Sequence, residues 1–152
     1  MSKHSDRAVE LFKQGYNCSQ AVFVAFSDEY DMDETTALKV SSGLGGGVGR
    51  LREVCGTVTG AAMVVGMLNG ATDGADNEAK AETYRIVQQI AEEFKKQQGS
   101  VVCRELLNPS AELKKTYVPD ERTAEYYKKR PCTVIVECMA KIIDKILFGV
   151  ED

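Results

Sequence analysis

Apolar positions along this chain recur at intervals of three and four, and no segment alternates in the way a half-buried strand would. Ala8, Leu11 and Phe12 share a face of a first helix that Ser5 is placed to cap, that reaches about residue 13 and that Gly15 ends. Asn17 caps a second helix and puts Cys18 at its first position, and residues 21–26 are apolar all round, which marks a buried helix. After a polar turn over 28–33, Asp33 caps a third helix to about residue 42 that presents Ala37, Leu38 and Val40. Five glycines among residues 43–49 then break the pattern, because each costs backbone entropy that regular structure must offset.

A fourth helix, apolar and small in composition, is expected from about residue 52 to 68, followed by a loop over 70–76. Asp76 opens the longest helix, to about residue 98, in which Tyr84, Val87, Ile90, Ala91 and Phe94 repeat at three and four opposite Lys, Glu and Gln. Gly99 stops it, and Ser100 starts a short helix over 101–107 with Cys103 in its first turn. Residues 108–119 read as a connector and 120–129 as a polar helix, and Pro131 is placed as the first residue of a last helix to about residue 148. At about 100° per residue, Cys132, Ile135, Met139, Ile142, Ile143 and Ile146 fall in one apolar arc of that helix. Cys138 lies at the arc's edge, so Cys132 points inward, Cys138 does not, and the two are poorly placed to pair. The reading is an all-α, single-domain multi-helix bundle over residues 1–152, with the Gly-rich loop leading into a central apolar helix.

In that fourth helix Cys55, Thr59, Ala62 and Gly66 make one stripe, and Gly56, Gly60, Met63, Met67 and Gly70 the next. Small residues at this spacing admit a close neighbour. For Gly60 and Gly66 the neighbour is expected to be a packed helix, and for Gly56, beside Cys55, a second thiol or a ligand serves as well.

With 152 residues, 43% apolar and 28% charged, the chain is long enough for a real core and ordinary for a globular protein. A net charge of −4 argues against nucleic acid as a partner. No signal-peptide h-region follows the first residues, and the longest apolar run, 61–68, is too short to span a bilayer. A cytoplasmic location is therefore expected, where five cysteines suggest reactive thiols or metal ligands ahead of structural disulfides.

Cys18, Cys55, Cys103 and Cys132 each fall at the start of an expected helix. Unpaired N–H groups and the positive end of the helix dipole stabilise a thiolate there, lowering its pKa from about 8.5 to roughly 3.5–7.5. Arg50, Arg52, Arg104, Lys129 and Arg130 are near in sequence and add to the effect. Thiolates are the nucleophiles of disulfide exchange and the ligands of soft metals. The competing reading is that each cysteine is simply a small buried hydrophobe.

Sharper motifs are missing. The glycine loop lacks the Gly-Lys-Ser/Thr ending of a P-loop, and Val48 and Arg50 occupy positions that a dinucleotide fingerprint reserves for glycine. There is no C-x-x-C, and the one histidine, His4, is read as part of a mobile tail, which leaves no Cys–His pair. The intervals between the cysteines match no named pattern for a metal or an iron–sulfur cluster.

Gly15-Tyr16-Asn17-Cys18, the loop Ser42-Gly43-Leu44-Gly45-Gly46-Gly47, the segment Glu53-Val54-Cys55-Gly56-Thr57-Val58-Thr59-Gly60, then Cys103-Arg104-Glu105-Leu106-Leu107 and finally Cys132 resemble the C_GCAxxG_C_C family. That is a family of small proteins described as redox-active and named for four cysteines. The resemblance runs from about residue 11 to 147 and maps the family cysteines onto Cys18, Cys55, Cys103 and Cys132, with Cys138 extra. Thr57 stands where the family motif has alanine, so its hydroxyl is available to the thiol or to the helix start. The resemblance implies redox chemistry with a small-molecule or protein partner, in a transport-associated setting.

Two classes of function follow. In the first, the chain is a thiol–disulfide oxidoreductase in which Cys55, left accessible by the glycine loop, attacks and Cys18 or Cys132 resolves. In the second, Cys18, Cys55, Cys103 and Cys132 hold a thiolate-bound metal or an iron–sulfur cluster. A helical interaction protein with purely structural cysteines is the third and weaker alternative.

Overall fold

The computed structural model describes residues 3–107 and 116–150. Among them the chain forms eight α-helices and no strand, an all-α multi-helix fold. The helices are α1 (Lys3–Lys13), α2 (Cys18–Ala25), α3 (Glu34–Ser41), α4 (Gly56–Asn69), α5 (Asn77–Gln98), α6 (Cys103–Leu106), α7 (Ala124–Lys129) and α8 (Cys132–Phe148). Single 3-10 turns occupy Ser27–Glu29 and Ser42–Leu44.

Local capping sets several starts. Asn17 and Gln20 form a reciprocal capping box at α2, each side chain accepting from the other's backbone N–H at 2.9 and 3.0 Å. Asp33 accepts from Thr36 N at α3, and Asp76 from Ala79 N at α5.

The innermost helix is α2: residues 21 to 26 are at most 1% exposed. Helices α1, α3, α4 and α8 lie against it, and α8 also meets α1, α4 and α5. Each Phe or Val buried there contributes about 1.5–3 kcal/mol. Close approach of α4 to α2 depends on Gly60, where a Cβ would come within 3.0 Å of Ser19 O and 3.2 Å of Val22 Cβ. Gly66, expected to serve the same purpose, has nothing within 4 Å of such a Cβ.

Several expectations are corrected. The first helix begins at Lys3, so Ser5 is a buried residue inside it and no cap. His4 is part of α1 and 7% exposed, with Nδ1 2.7 Å from Asp144 Oδ1 on α8 and its ring stacked on Phe26 at 4.2 Å. A partner 140 residues away removes it from any mobile tail. Val40 and Tyr84, placed on apolar faces, are 53% and 64% exposed. The fourth helix starts at Gly56, four residues later than expected, because the backbone before it is occupied otherwise. Val54 forms an isolated antiparallel bridge with Val102, which also delays α6 to Cys103. The polar helix expected over 120–129 is reduced to α7, which starts only after its cap Thr123. Pro131 precedes α8 as its N-cap residue, leaving Cys132 first. The expected connector over 108–119 lies outside the described residues up to 115.

Candidate functional site

The chain between α3 and α4 winds as a left-handed coil. Gly46, Gly47, Val48, Gly49, Arg50 and Arg52 all have φ between +53° and +68°. Wide turns close it: Gly49 N donates to Gly43 O, Arg52 N to Gly46 O and Glu53 N to Gly47 O. For a residue with a Cβ this conformation costs roughly 1–2 kcal/mol, so Val48, Arg50 and Arg52 are held there by their surroundings. The coil feeds the Val54–Val102 bridge, in which Cys55 N donates to Val101 O at 2.8 Å and Cys103 N to Glu53 O at 2.6 Å. Two cysteines distant in sequence are thereby fixed side by side. Gly47 is the point of closest approach, for a Cβ there would sit 2.6 Å from Cys103 Cβ. Gly56 does the same for α2, where a Cβ would lie 3.2 Å from that of Cys18.

Cys18 is the first residue of α2, Cys55 the N-cap of α4, Cys103 the first residue of α6 and Cys132 the first residue of α8. All four line one cavity of about 420 Å³ walled by the glycine coil. Cys138 is not among them. It sits on another face of α8, and its thiol donates to Gln97 Oε1 at 3.2 Å.

The four thiols are not equivalent. The neighbouring Cys132 sulfur, together with burial, raises the Cys18 pKa well above the usual thiol range. The Cys18 thiol, reinforced by Arg130, Arg122 and Arg52 against the opposing effect of burial, lowers the Cys132 pKa in turn. Burial pushes Cys55 up to about 11, although the Thr57 hydroxyl, 3.1 Å from its sulfur, pulls the other way. The thiolate expected at every helix start is thus favoured at Cys132 and opposed at Cys18 and Cys55. Cys55 is also only 5% exposed, so it is not left open as expected. Arg52 Nη1 is 3.7 Å from Cys103 Sγ.

Four guanidinium groups, Arg50, Arg52, Arg122 and Arg130, line the cavity. Arg122 escaped the sequence reading because its partners are remote: it donates to Phe12 O and Tyr16 O at 3.0 Å each and stacks over the Phe12 ring at 4.5 Å. Of the other expected cations, Arg104 pairs with Glu53 at 3.0 Å and Lys129 with Glu125 at 2.7 Å, and neither lines the cavity.

Among the described residues, no three sulfurs come within 4.8 Å of one another. The group of metal-competent side chains that does is His4, Asp28 and Glu29, outside the cavity. A four-thiolate metal site would require Cys18, Cys55, Cys103 and Cys132 to draw together from these positions.

No helix among the described residues is long and apolar enough to cross a membrane. Neither the curated proteins nor the solved structures yield a match. The family described as "Putative redox-active protein (C_GCAxxG_C_C)" matches residues 16–146. That span covers most of the chain and takes in all four cavity cysteines. The chain belongs to the C_GCAxxG_C_C family.

Proposed function

We propose that this protein is a thiol–disulfide oxidoreductase whose working pair is Cys132 and Cys18. The observation that carries the reading is that Cys18 and Cys132, each the first residue of a helix, line one arginine-rich cavity. An acidic thiol backed by a protonated neighbour is the arrangement that exchange chemistry needs, since the thiolate attacks and the second thiol resolves.

The Cys132 thiolate attacks one sulfur of a disulfide RS–SR. The substrate S–S bond breaks, RS⁻ leaves, and Cys132 is joined to the other half. Cys18 then gives up its proton and attacks the Cys132 sulfur, releasing the second half. Two electrons pass to the substrate, which departs as one RS⁻ and one RSH, while Cys18 and Cys132 become a disulfide. Run backwards, the same steps oxidise a dithiol. Cys55 and Cys103 shape the cavity wall and stay reduced in this scheme, which moves the attacking role expected of Cys55 to Cys132.

The test is mass spectrometry of the linkages after limited oxidation, together with the pH profile of alkylation at each cysteine. The expected result is a Cys18–Cys132 disulfide in the wild type and fastest alkylation at Cys132, with a midpoint below that of an ordinary thiol. Replacing Cys18 with alanine should move that midpoint upward. If the protein oxidises without linking Cys18 to Cys132, or if Cys132 alkylates no faster than a free thiol, the assignment is wrong.

A further inference from the structure

We infer that the cavity selects a small disulfide bearing carboxylate groups, with one carboxylate seated on Arg50 and Arg52 while the sulfurs lie against Cys132. This rests on the thiol–disulfide reading above and adds to it the class of substrate.

The charge balance of the cavity is the first support. The chain as a whole is acidic, with a net charge of −4. Even so, four arginines face the cavity, and Asp120 is the one carboxylate among the described residues that line it. Such a wall attracts anions and raises their local concentration.

Hydrogen bonding is the second. Arg122 is committed to the Phe12 and Tyr16 carbonyls, and Arg130 to Asp120 at 2.8 Å. Arg50 reaches the Val118 carbonyl and lies 3.6 Å from Asp120. The Nε–H groups of both Arg50 and Arg52 are buried and have no hydrogen-bond partner among the described residues. A buried donor without an acceptor is costly, and guanidinium presents Nε–H and a neighbouring N–H as a fork that fits a carboxylate. The positive charge of these two side chains is therefore left short of acceptors beside the cavity.

The backbone is the third. Arg50 and Arg52 stand at φ +65° and +61°, a conformation that side-chain-bearing residues rarely adopt. Such a conformation persists only where the surroundings fix it, so both side chains leave the backbone from set positions at the cavity wall.

The volume decides the size of the anion. About 420 Å³ lies within the roughly 300–1,000 Å³ range of small-molecule sites. At about 30 Å³ per water, a bare oxyanion would leave most of that space empty. Phe12 and Ile135 supply apolar wall for the aliphatic part of a larger ligand.

The test uses three disulfides of matched length: 3,3′-dithiodipropionate (two carboxylates), bis(2-hydroxyethyl) disulfide (neutral) and cystamine (two ammonium groups). Single-turnover oxidation of the reduced protein by each is followed by mass spectrometry. Each rate is divided by that of a free alkyl thiol with the same reagent. The normalised rate should be highest for the dicarboxylate, by about tenfold to a hundredfold over the neutral compound, and lowest for cystamine. The variant Arg52→Gln should lose most of the ratio between dicarboxylate and neutral compound, whatever its absolute rates. Suberate, a dicarboxylate of the same span that cannot react, should bind the reduced wild type by calorimetry and bind Arg52→Gln at least tenfold more weakly. If all three disulfides react at equal normalised rates and suberate does not bind, the anion assignment fails and the thiol reading stands. If suberate binds but no disulfide links Cys18 to Cys132, the site takes anions, the thiol reading fails and the substrate assignment falls with it.

Discussion

Replacing Gly47 with alanine tests whether the glycine coil is built to bring backbone against Cys103. Two costs arise. Gly47 has φ +68°, where an alanine costs roughly 1–2 kcal/mol. Its Cβ would also lie 2.6 Å from Cys103 Cβ, 2.7 Å from Glu53 N and 2.8 Å from Arg52 Cα, against the 3.5–4.0 Å or so at which carbon atoms rest. Two of these atoms are backbone, so no side-chain rotation relieves them. Glu53 is pinned as well, donating to Gly47 O and accepting from Cys103 N. Overpacking of this kind adds about 1–3 kcal/mol, for a total of about 2–5 kcal/mol. In a chain of this length that lowers the melting temperature by about 6–15 °C. Gly49→Ala is the control. It has φ +53° too, but its Cβ would meet nothing nearer than Gly43 O at 3.9 Å, so only the conformational cost applies, about 3–6 °C. Thermal melts and urea titrations of both variants separate the two costs. Equal melting temperatures for Gly47→Ala and Gly49→Ala would refute the close-approach argument and leave the coil as an ordinary loop.

Removing His4 as alanine leaves Asp144, 1% exposed, without its ring partner, and a loss of about 3–5 kcal/mol is expected in urea titrations. Adding Asp144→Ala should cost less than the sum of the single changes, and strict additivity would mean that the pair is not coupled. Cys55 keeps its proton in the folded state up to about 11, whereas the unfolded chain releases it near 9.0. Its contribution is therefore whole below pH 9 and fades between 9 and 11 by something on the order of 2–3 kcal/mol, so wild-type stability should fall more steeply over that window than that of Cys55→Ala. Parallel pH profiles for the two proteins would contradict the burial assigned to this thiol. Thr57→Ala removes the hydroxyl beside Cys55 and should cost about 1 kcal/mol while raising the Cys55 midpoint further, read by alkylation at high pH. An unchanged midpoint would mean that the hydroxyl serves only the helix.

What the sequence made legible was local. Asn17, Asp33 and Asp76 act within three residues of themselves, so their caps could be read from spacing alone. The placement of Cys18 and Cys132 at helix starts followed from the same short-range chemistry. The misses share the opposite cause. His4 and Arg122 owe their positions to Asp144, Phe12 and Tyr16, all more than a hundred residues away. Positive φ at Val48, Arg50 and Arg52 has no signature in those residue types, so the late start of α4 and the covering of Cys55 could not be anticipated. Which thiol is acidic depended on the same kind of distant meeting, between α2 and the arginines around α8.

The cavity wall is assembled from residues near 18, 50, 103 and 132, with no two of these stretches adjacent in the chain. A growing polypeptide therefore carries Cys18 early and has to wait for α8 before Cys132 can reach it. Any stretch of chain that holds the pair must span at least residues 18 to 132. The exchange proposed for these sulfurs therefore depends on α8 having docked against α2.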